Sequence, residues 1–241
     1  LSDLEVSREL CVWDDGGVDW ESYDLTVVRS TWDYASRRDE FLAWARSVPH
    51  RANPYPVLEY SSDKHYLFDL ANRGYAVVAS HVAAVGEEPV FPAGDFVVKP
   101  CVGAGSIDAD RYRAVEIERA HAHVASLHAR GRDVLIQPYI ASVDEVGETA
   151  LIFIGGEFSH AMNKAAMLNE PQTTRDRTYR EERMSRAEAP VAARALAEEV
   201  QAEVEAELAT SAHDALVPAL TYGRVDVVAT DIRMRGMNGI E

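Results

Sequence analysis

The stretch Phe96-Val97-Val98-Lys99-Pro100-Cys101-Val102-Gly103-Ala104-Gly105-Ser106 decides the fold of this chain. Its three leading apolar residues predict a buried strand, which delivers Lys99 into a glycine-rich loop. A lysine there can lie along an anionic ligand, and the glycines let backbone N–H groups approach phosphate oxygens closely. The alternative is a plain glycine turn beside a surface lysine, because short glycine motifs often occur by chance.

Two well-known phosphate-binding motifs do not fit this loop. A P-loop places its lysine after the glycines, whereas Lys99 precedes both Gly103 and Gly105. The dinucleotide fingerprint needs a third glycine and an immediate helix, but here the polar stretch 107–110 follows. A dinucleotide-dependent oxidoreductase is therefore the least favoured nucleotide-binding class.

Composition and charge narrow the classes of partner. The 241 residues carry 24 basic and 40 acidic side chains, a formal net charge of −16. This balance predicts no nucleic acid partner, because binding to a phosphate backbone needs a basic face. No apolar run reaches the length of a membrane span, so no membrane is expected either. The only lysines are Lys64, Lys99 and Lys164, which makes their positions informative.

The cysteine content concerns redox chemistry and location. Cys11 and Cys101 are the only cysteines, so we expect no disulfide framework and a cytoplasmic protein. Cys101 lies beside the glycine loop without a histidine motif to activate it. We expect it to pack and not to act as a nucleophile.

Hydrophobic periodicity predicts alternating helices and strands. The helix expected over residues 1–10 runs into Cys11 without a turn, so we expect either missing residues or a misread element there. Lys64 would lie in the first turn of a helix over 61–72, and three histidines would lie on a solvated face of the helix over 114–130. Further helices are expected over 36–48 and 185–208, the last opened by a capping box at 185–188, and strands over 23–29, 76–79, 96–99, a hairpin within 148–164, and 224–229.

Three more motifs follow the lysine–glycine stretch in order: Gln137-Pro138-Tyr139-Ile140, Gly147-Glu148 and Gly223-Arg224-Val225-Asp226. Together the four motifs resemble the ATP-grasp ligases, over roughly Lys64 to the C-terminus. The resemblance implies a fold of mixed α/β and α+β class, the ATP-grasp fold with a small α/β pre-ATP-grasp domain before it. The expected domains are this N-terminal substrate domain over 1–58, a lid subdomain over 59–131, and a C-terminal subdomain with a metal site over 132–241.

The resemblance also implies roles for single residues. The backbone of the hinge at 137–140 would read the adenine edge, and Glu148 would accept the ribose hydroxyls, with Asp144 as the alternative. Lys164 and Arg224 would stabilise charge that develops during phosphoryl transfer. The residues expected to bind ATP are Lys64, Lys99, Gly103, Gly105, Ser106, Gln137, Pro138, Tyr139, Ile140 and Glu148.

Magnesium is the expected metal, again from the resemblance. Asp226 corresponds to the aspartate that holds Mg²⁺ in ATP-grasp ligases, and Glu241 is the expected second ligand. We expect a third ligand to lie beyond the end of this sequence. Asn163 departs from the family, because an arginine commonly precedes the lysine that corresponds to Lys164.

A separate block, Arg29-Ser30-Thr31-Trp32-Asp33-Tyr34, follows the first predicted strand. Ligands dock at the carboxyl ends of strands in open α/β sheets, so this block could hold a small amino-acid-like carboxylate. The block resembles the substrate-facing loop of a pre-ATP-grasp domain. An aromatic plug over the sheet edge, braced by an Arg29–Asp33 ion pair, is the equally weighted alternative. The residues expected to contact the substrate are Arg29, Trp32, Asp33, Tyr34 and His160.

The function that the resemblance implies is ATP-dependent ligation of a carboxylate to an amine through an acylphosphate. The 29–34 block and the Ser159-His160 to Lys164 strand are similar to the cyclo-ligases of D-cycloserine biosynthesis, which implies antibiotic biosynthesis by cyclisation of O-ureido-D-serine. The alternatives are an intermolecular amino-acid or peptide ligase and a non-catalytic nucleotide-binding module. A homo-oligomer stays open.

Overall fold

The computed structural model describes residues 7–154, 156–168, 183–208 and 227–230, with side chains through residue 203. It divides the chain into two compact units, Leu1–Ser62 together with Glu205–Glu241, and Asp63–Val204. Among the helices in the described ranges, none has the length and apolar character that a membrane span needs.

A four-stranded, all-parallel sheet forms the first unit. Parallel strands are covered on their faces and therefore tend to have apolar, β-branched sequences, as in the Leu-Thr-Val-Val of the second strand. Trp13 and Phe41 pack edge to face in the core of this unit, with ring centroids 5.7 Å apart. In sheet order the strands are β1 (Arg8–Cys11), β11 (Val227–Thr230), β2 (Leu25–Val28) and β3 (Arg51–Ala52), and the helices are α1 (Arg38–Ser47) and α2 (Tyr55–Ser61).

The second unit contains a four-stranded antiparallel sheet with a helix on one face. The strands are β4 (His81–Ala83), β7 (Val134–Pro138), β5 (Phe96–Pro100) and β6 (Asp110–Tyr112) in sheet order, and the helices are α3 (Tyr66–Asn72) and α4 (Ile117–His128). Along β5, Phe96 and Val98 are buried in the core beneath α4. Because side chains alternate along a strand, Val97 and Lys99 lie on the opposite face.

The second unit also contains a three-stranded antiparallel sheet. In sheet order it consists of β10 (Met184–Ala187), β9 (Glu157–Lys164) and β8 (Glu148–Ile154). Ile154 pairs with Glu157, which confirms the predicted tight hairpin. The short helix α5 (Ser142–Val146) precedes this sheet, and the long helix α6 (Val191–Leu208) follows it.

Both ends of the chain differ from the sequence-based prediction. Residues 8–10 of the predicted first helix form β1 together with Cys11, and Val227–Thr230 pairs in parallel with both β1 and β2. The sequence predicts that the C-terminal strand belongs to the metal-site subdomain, but its pairing places it inside the first unit's sheet. Its apolar sequence suits a strand with neighbours on both edges, and local patterns carry no information about which neighbours these are.

The domain division also differs from the prediction. The 59–131 lid and most of the 132–241 subdomain form a single unit, and residues from 205 onward group with the N-terminal sheet. The reason is the same strand pairing, which joins the end of the chain to its beginning.

Three local predictions in the second unit are wrong. The strand expected over 76–79 does not form, because β7 pairs with His81–Ala83 instead. Residues 184–187 pair with β9 as β10, so the capping box does not exist and α6 begins at Val191. The helix α3 begins at Tyr66, which leaves Lys64 in the preceding turn, where the Cys101 carbonyl accepts its backbone N–H at 3.0 Å.

The histidines of α4 are not all solvated, contrary to the prediction. His123 Nδ1 lies 3.0 Å from the Tyr112 hydroxyl, and His128 Nε2 lies 3.1 Å from the Ala83 carbonyl. Burial lowers the pKa of His123. Val124 and Leu127 are buried against the sheet. Their neighbours in sequence, His123 and His128, therefore lie close to the sheet as well.

Candidate active site

A cavity of about 470 Å³ lies within the second unit, a volume typical of small-molecule sites. The face of β5 and β7 opposite α4, the glycine loop, the hinge and the facing ends of β8 and β9 form its walls. All ten residues predicted to bind ATP line it, together with Lys164. The sequence motifs do not include its apolar walls, among which are Leu67, Val78, Val97, Val143 and Met167. Of these residues, only Val97 could be predicted from the sequence, because it lies two residues before Lys99 on a strand and therefore shares its face.

Lys64 reaches into this cavity from the turn before α3. Its Nζ donates to the carbonyl oxygens of Gly103 at 2.9 Å, Cys101 at 3.2 Å and Pro100 at 3.4 Å. Burial, reinforced by the positive charge of Lys99, lowers the pKa of Lys64 to about 8. The ammonium is thus held against the start of the glycine loop, and it can exchange carbonyl contacts for the oxygens of an anion.

Lys99 lies on the cavity face of β5, as the strand periodicity predicts. Burial lowers the pKa of its ammonium, and the carboxylate of Glu148 acts in the opposite direction. Two partly desolvated ammonium groups in one cavity are costly unless an anion neutralises them. The cavity is therefore electrostatically suited to phosphate groups.

The glycine loop has an unusual backbone and a charged anchor. Gly105, Ser106 and Asp108 have φ of 59°, 55° and 58°, a left-handed conformation that is uncommon for residues other than glycine. The carboxylate of Asp108 accepts from Arg130 and Arg132, both at 2.9 Å. These ion pairs fix the end of the loop to the segment before β7, so the surrounding structure holds the strained conformation.

Hydrogen bonds of the backbone and of side chains fix the hinge on both sides. Gln137 donates through Nε2 to the Ser80 hydroxyl at 2.8 Å, and the Tyr139 N–H donates to the Asp95 carbonyl at 2.8 Å. Asp144 accepts from the Tyr139 hydroxyl on one oxygen and from Arg111 at 2.8 Å on the other. With both of its oxygens occupied, Asp144 is the weaker ribose candidate, and Glu148 is the acidic residue that lines the cavity.

The β8–β9 hairpin places its predicted residues in two different cavities. Lys164 lines the cavity described above, whereas His160 lines a second one of about 640 Å³ between β9, β10 and α6. Asn163 donates through Nδ2 to the Val146 carbonyl at 2.6 Å. This bond gives Asn163 a structural role at the junction between α5 and β8.

The predicted substrate block lies in the first unit, after β2. Arg29 is exposed. Asp33 accepts from the indole of Trp13 at 2.9 Å and lies 3.6 Å from Arg37, and the Tyr34 ring packs 5.7 Å from Phe41. The side chains of Asp33 and Tyr34 therefore brace the aromatic core of this unit, as the plug alternative expects, although the cation found beside Asp33 is Arg37 and the alternative names Arg29.

The remaining expectations concern Cys101 and three residues near the C-terminus. Cys101 is buried, and this burial raises its thiol pKa to about 12, in keeping with a packing role. Arg224, Asp226 and Glu241 lie outside the described residues, so their roles in catalysis and metal binding stay predictions.

Comparisons with known proteins find relatives of this chain over most of its length. Residues 1–55 match the family model "D-cycloserine synthetase DcsG, N-terminal domain". The cycloserine biosynthesis protein DcsG of Streptomyces lavendulae is 39% identical over 239 residues, covering 92% of this chain and 76% of that protein. The crystal structure of D-cycloserine synthetase DcsG is 36% identical and covers 87% of this chain and 74% of that chain, with a TM-score of 0.75. The D-alanine–D-alanine ligase of Bacillus anthracis in complex with ATP is 15% identical, covering 74% of this chain and 59% of that one, with a TM-score of 0.48.

Proposed function

Because this chain belongs to the D-cycloserine synthetase DcsG family of ATP-grasp ligases, we propose that it uses ATP to close the ring of D-cycloserine from O-ureido-D-serine. Family membership confirms the predicted ATP-grasp fold and the ligase class. The alternative of a non-catalytic nucleotide-binding module is thereby set aside. The substrate and the roles of individual residues are the proposal.

The observation that carries the proposal is the convergence of all three lysines of an acidic chain on one cavity. Lys64 and Lys99 are partly desolvated there, and Lys164 reaches the same space from β9. Phosphoryl transfer depends on positioning and on electrostatic stabilisation of the phosphate oxygens, which such cations supply. The hinge and apolar walls provide the complementary surface for a purine ring, and Glu148 for the ribose hydroxyls.

The reaction proceeds in two steps. A carboxylate oxygen of the substrate attacks the γ-phosphorus of ATP, the bond from that phosphorus to the β-phosphate oxygen breaks, and ADP and an acylphosphate result. The ureido nitrogen bonded to oxygen then attacks the acyl carbon and displaces inorganic phosphate, which closes a five-membered ring. Hydrolysis of the carbamoyl group by one water, giving carbon dioxide and ammonia, balances the atoms.

Magnesium belongs to this proposal as well. Bound at the phosphates, it would neutralise their charge. Asp226 and Glu241 are the proposed ligands, because carboxylate oxygens suit a hard cation. In the first unit, Arg29 is proposed to bind the substrate carboxylate, because its planar guanidinium can donate two parallel hydrogen bonds to a carboxylate. Trp32, Asp33, Tyr34 and His160 stay substrate-binding proposals, and the oligomeric state and the lack of a nucleic acid partner stay predictions.

Release of ADP tests the proposed function directly. The purified chain with ATP and Mg²⁺ should release ADP when O-ureido-D-serine is added, and D-cycloserine should appear in equal amount. Release only after a separate amine is added would favour an intermolecular ligase. No ADP release with O-ureido-D-serine would contradict the proposed substrate.

Calorimetric measurement of the ATP Kd tests the cavity. Lys99→Ala should raise the ATP Kd roughly ten- to a hundred-fold, since a hydrogen bond to a charged group contributes about 1.5–3 kcal/mol. Arg113→Ala, at an exposed arginine outside the cavity lining, is the control and should leave this Kd unchanged. An unchanged ATP Kd in a folded Lys99→Ala protein would place the nucleotide elsewhere.

A further inference from the structure

Arg111, on β6, is absent from the sequence-based site, yet it lies directly behind the hinge. Its Nη2 donates to Asp95 at 2.8 Å, and its Nη1 donates to Asp144 at 2.8 Å. Its guanidinium carbon lies 3.7 Å from the centroid of the Tyr139 ring, so the cation stacks on the aromatic face. The side chain is only 26% exposed, so these contacts are partly shielded from water.

Tyr139 is consequently held at three points. Its backbone N–H donates to the Asp95 carbonyl at 2.8 Å, its ring is covered by Arg111, and its hydroxyl donates to Asp144. Burial and the bond to Asp144 raise the pKa of Tyr139 to about 12. The tyrosine therefore stays a neutral donor, and its ring and backbone have little freedom to move.

Arg111 also connects elements that border the cavity. Asp95 precedes β5, Tyr139 follows β7, and Asp144 belongs to α5, which leads into Glu148 at the start of β8. The hydrogen bonds from Tyr139 and Arg111 hold the pKa of Asp144 below its usual range, so this carboxylate stays charged. One guanidinium thus links the hinge to the strand that carries Glu148.

We propose that Arg111, through its contacts with Asp95, Tyr139 and Asp144, fixes the backbone of the hinge and so sets the selectivity of this site for adenine over guanine. The inference rests on the proposed function, in which the hinge reads the base. Adenine presents an amino donor where guanine presents a carbonyl acceptor, so a rigid hinge can pair with one and must leave polar groups unpaired with the other. A hinge that is free to shift loses this distinction. Arg111 is a positioning residue and does not itself contact the base.

Arg119 provides a matched comparison within the same unit. It lies 4.0 Å from Asp110 and is also paired with Glu116, and its guanidinium carbon lies 5.5 Å from the centroid of the Tyr112 ring. It therefore combines ion pairs and an aromatic contact as Arg111 does. Neither Arg119 nor Tyr112 lines the nucleotide cavity.

The test compares Arg111→Met with Arg119→Met in the full chain. We measure ATP and GTP Kd by calorimetry and kcat/KM for both nucleotides by ADP or GDP release. Arg111→Met should raise the ATP Kd and KM roughly tenfold with kcat nearly unchanged, since a displaced binding group weakens positioning. The GTP constants should change much less, so the ATP/GTP selectivity falls roughly tenfold as well. Arg119→Met should keep the selectivity of the unaltered chain.

Several outcomes would overturn the inference. They are equal losses for ATP and GTP in Arg111→Met, unchanged constants in a folded Arg111→Met protein, and an unaltered chain that binds ATP without preferring it to GTP. If Arg111→Met does not fold, Tyr139→Phe removes only the hydroxyl bond to Asp144 and should lower the same selectivity in part, and unchanged selectivity there counts against the inference. An unaltered chain that does not bind ATP would instead contradict the proposed function.

Discussion

At the scale of single residues, the folded structure gives Lys64 a pKa that its sequence position does not predict. The sequence identifies it as one of three lysines, but its neighbours come from a loop more than 35 residues away in the chain. The carbonyls of Pro100, Cys101 and Gly103 hold its ammonium where burial disfavours charge. The charge of Lys64 therefore changes with pH near 8, whereas an exposed lysine stays charged at that pH.

The expected pH dependence of Lys64 has opposite signs for ATP binding and for stability. Folding lowers its pKa from 10.5 to about 8, so between these values the unfolded chain binds more protons. Stability of the ligand-free chain should therefore rise with pH across this window. ATP affinity should fall as pH rises through about 8, because the neutral amine no longer attracts phosphate.

Calorimetry and urea unfolding from pH 7 to pH 10.5 measure both trends, with Lys64→Met as the comparison. Lys64→Met should weaken ATP binding at pH 7 and should flatten both pH profiles. Lys99 also has a lowered pKa and remains in the variant, so a residual slope is expected. Parallel profiles for the two proteins would show that Lys64 does not cause the pH dependence.

At the scale of elements, the junction between α5 and β8 positions two cavity residues. Gly147 ends α5 with φ 73° and ψ −164°, a conformation almost confined to glycine. A Cβ there would overlap the Lys164 carbonyl and would lie 2.8 Å from Asn163 Oδ1. The hairpin backbone therefore closes directly against Gly147, and this contact sets Glu148 beside Lys164 across the two paired strands.

Gly147→Ala should destabilise the chain by about 3 kcal/mol, because strained dihedral angles and steric overlap act together. It should also raise the ATP Kd, since Glu148 and Lys164 must move. Gly131→Ala is the matched control, with φ 69° and no atom within 4 Å of its Cβ, and should cost about 1 kcal/mol without affecting ATP. Urea unfolding and calorimetry check both variants, and equal effects of the two substitutions would contradict the steric argument.

At the scale of the whole molecule, a strand near the end of the chain pairs with the strand nearest its beginning. The strand Val227–Thr230 has β1 on one edge and β2 on the other, so the sheet of the first unit depends on residues from both ends of the sequence. All the described residues that line the 470 Å³ cavity belong to the second unit. We therefore expect that the stability of the first unit can be perturbed separately from binding of ATP without Mg²⁺. Asp226, the proposed magnesium ligand, immediately precedes the strand Val227–Thr230, so binding of Mg²⁺ is not included in that expectation.

Val228→Pro should test this separation. Proline removes a backbone donor in the middle of the sheet and should destabilise the first unit by roughly 3 kcal/mol. The ATP Kd measured without Mg²⁺ should change little, because all the described residues that line the 470 Å³ cavity belong to the second unit. Arg8→Pro, at the first residue of an edge strand, is the control and should be tolerated. A Val228→Pro protein as stable as the unaltered chain would contradict the observed strand order.

The sequence by itself determined the fold family, the strand β5 and the β8–β9 hairpin of the second unit, and the ten residues predicted to bind ATP, which meet in one cavity. These follow from local properties: side-chain alternation along β5, glycines in a tight loop, and four motifs in a family order. Only the tertiary structure decided the partner of β1, the occupied carboxylate of Asp144 and the position of Arg111 behind the hinge. Each of these depends on a contact between residues far apart in sequence, as with Arg111 and Asp144. The identity of a side chain does not determine which distant group it contacts. Residue type limits the partners a group can have, and packing of the folded chain selects among them.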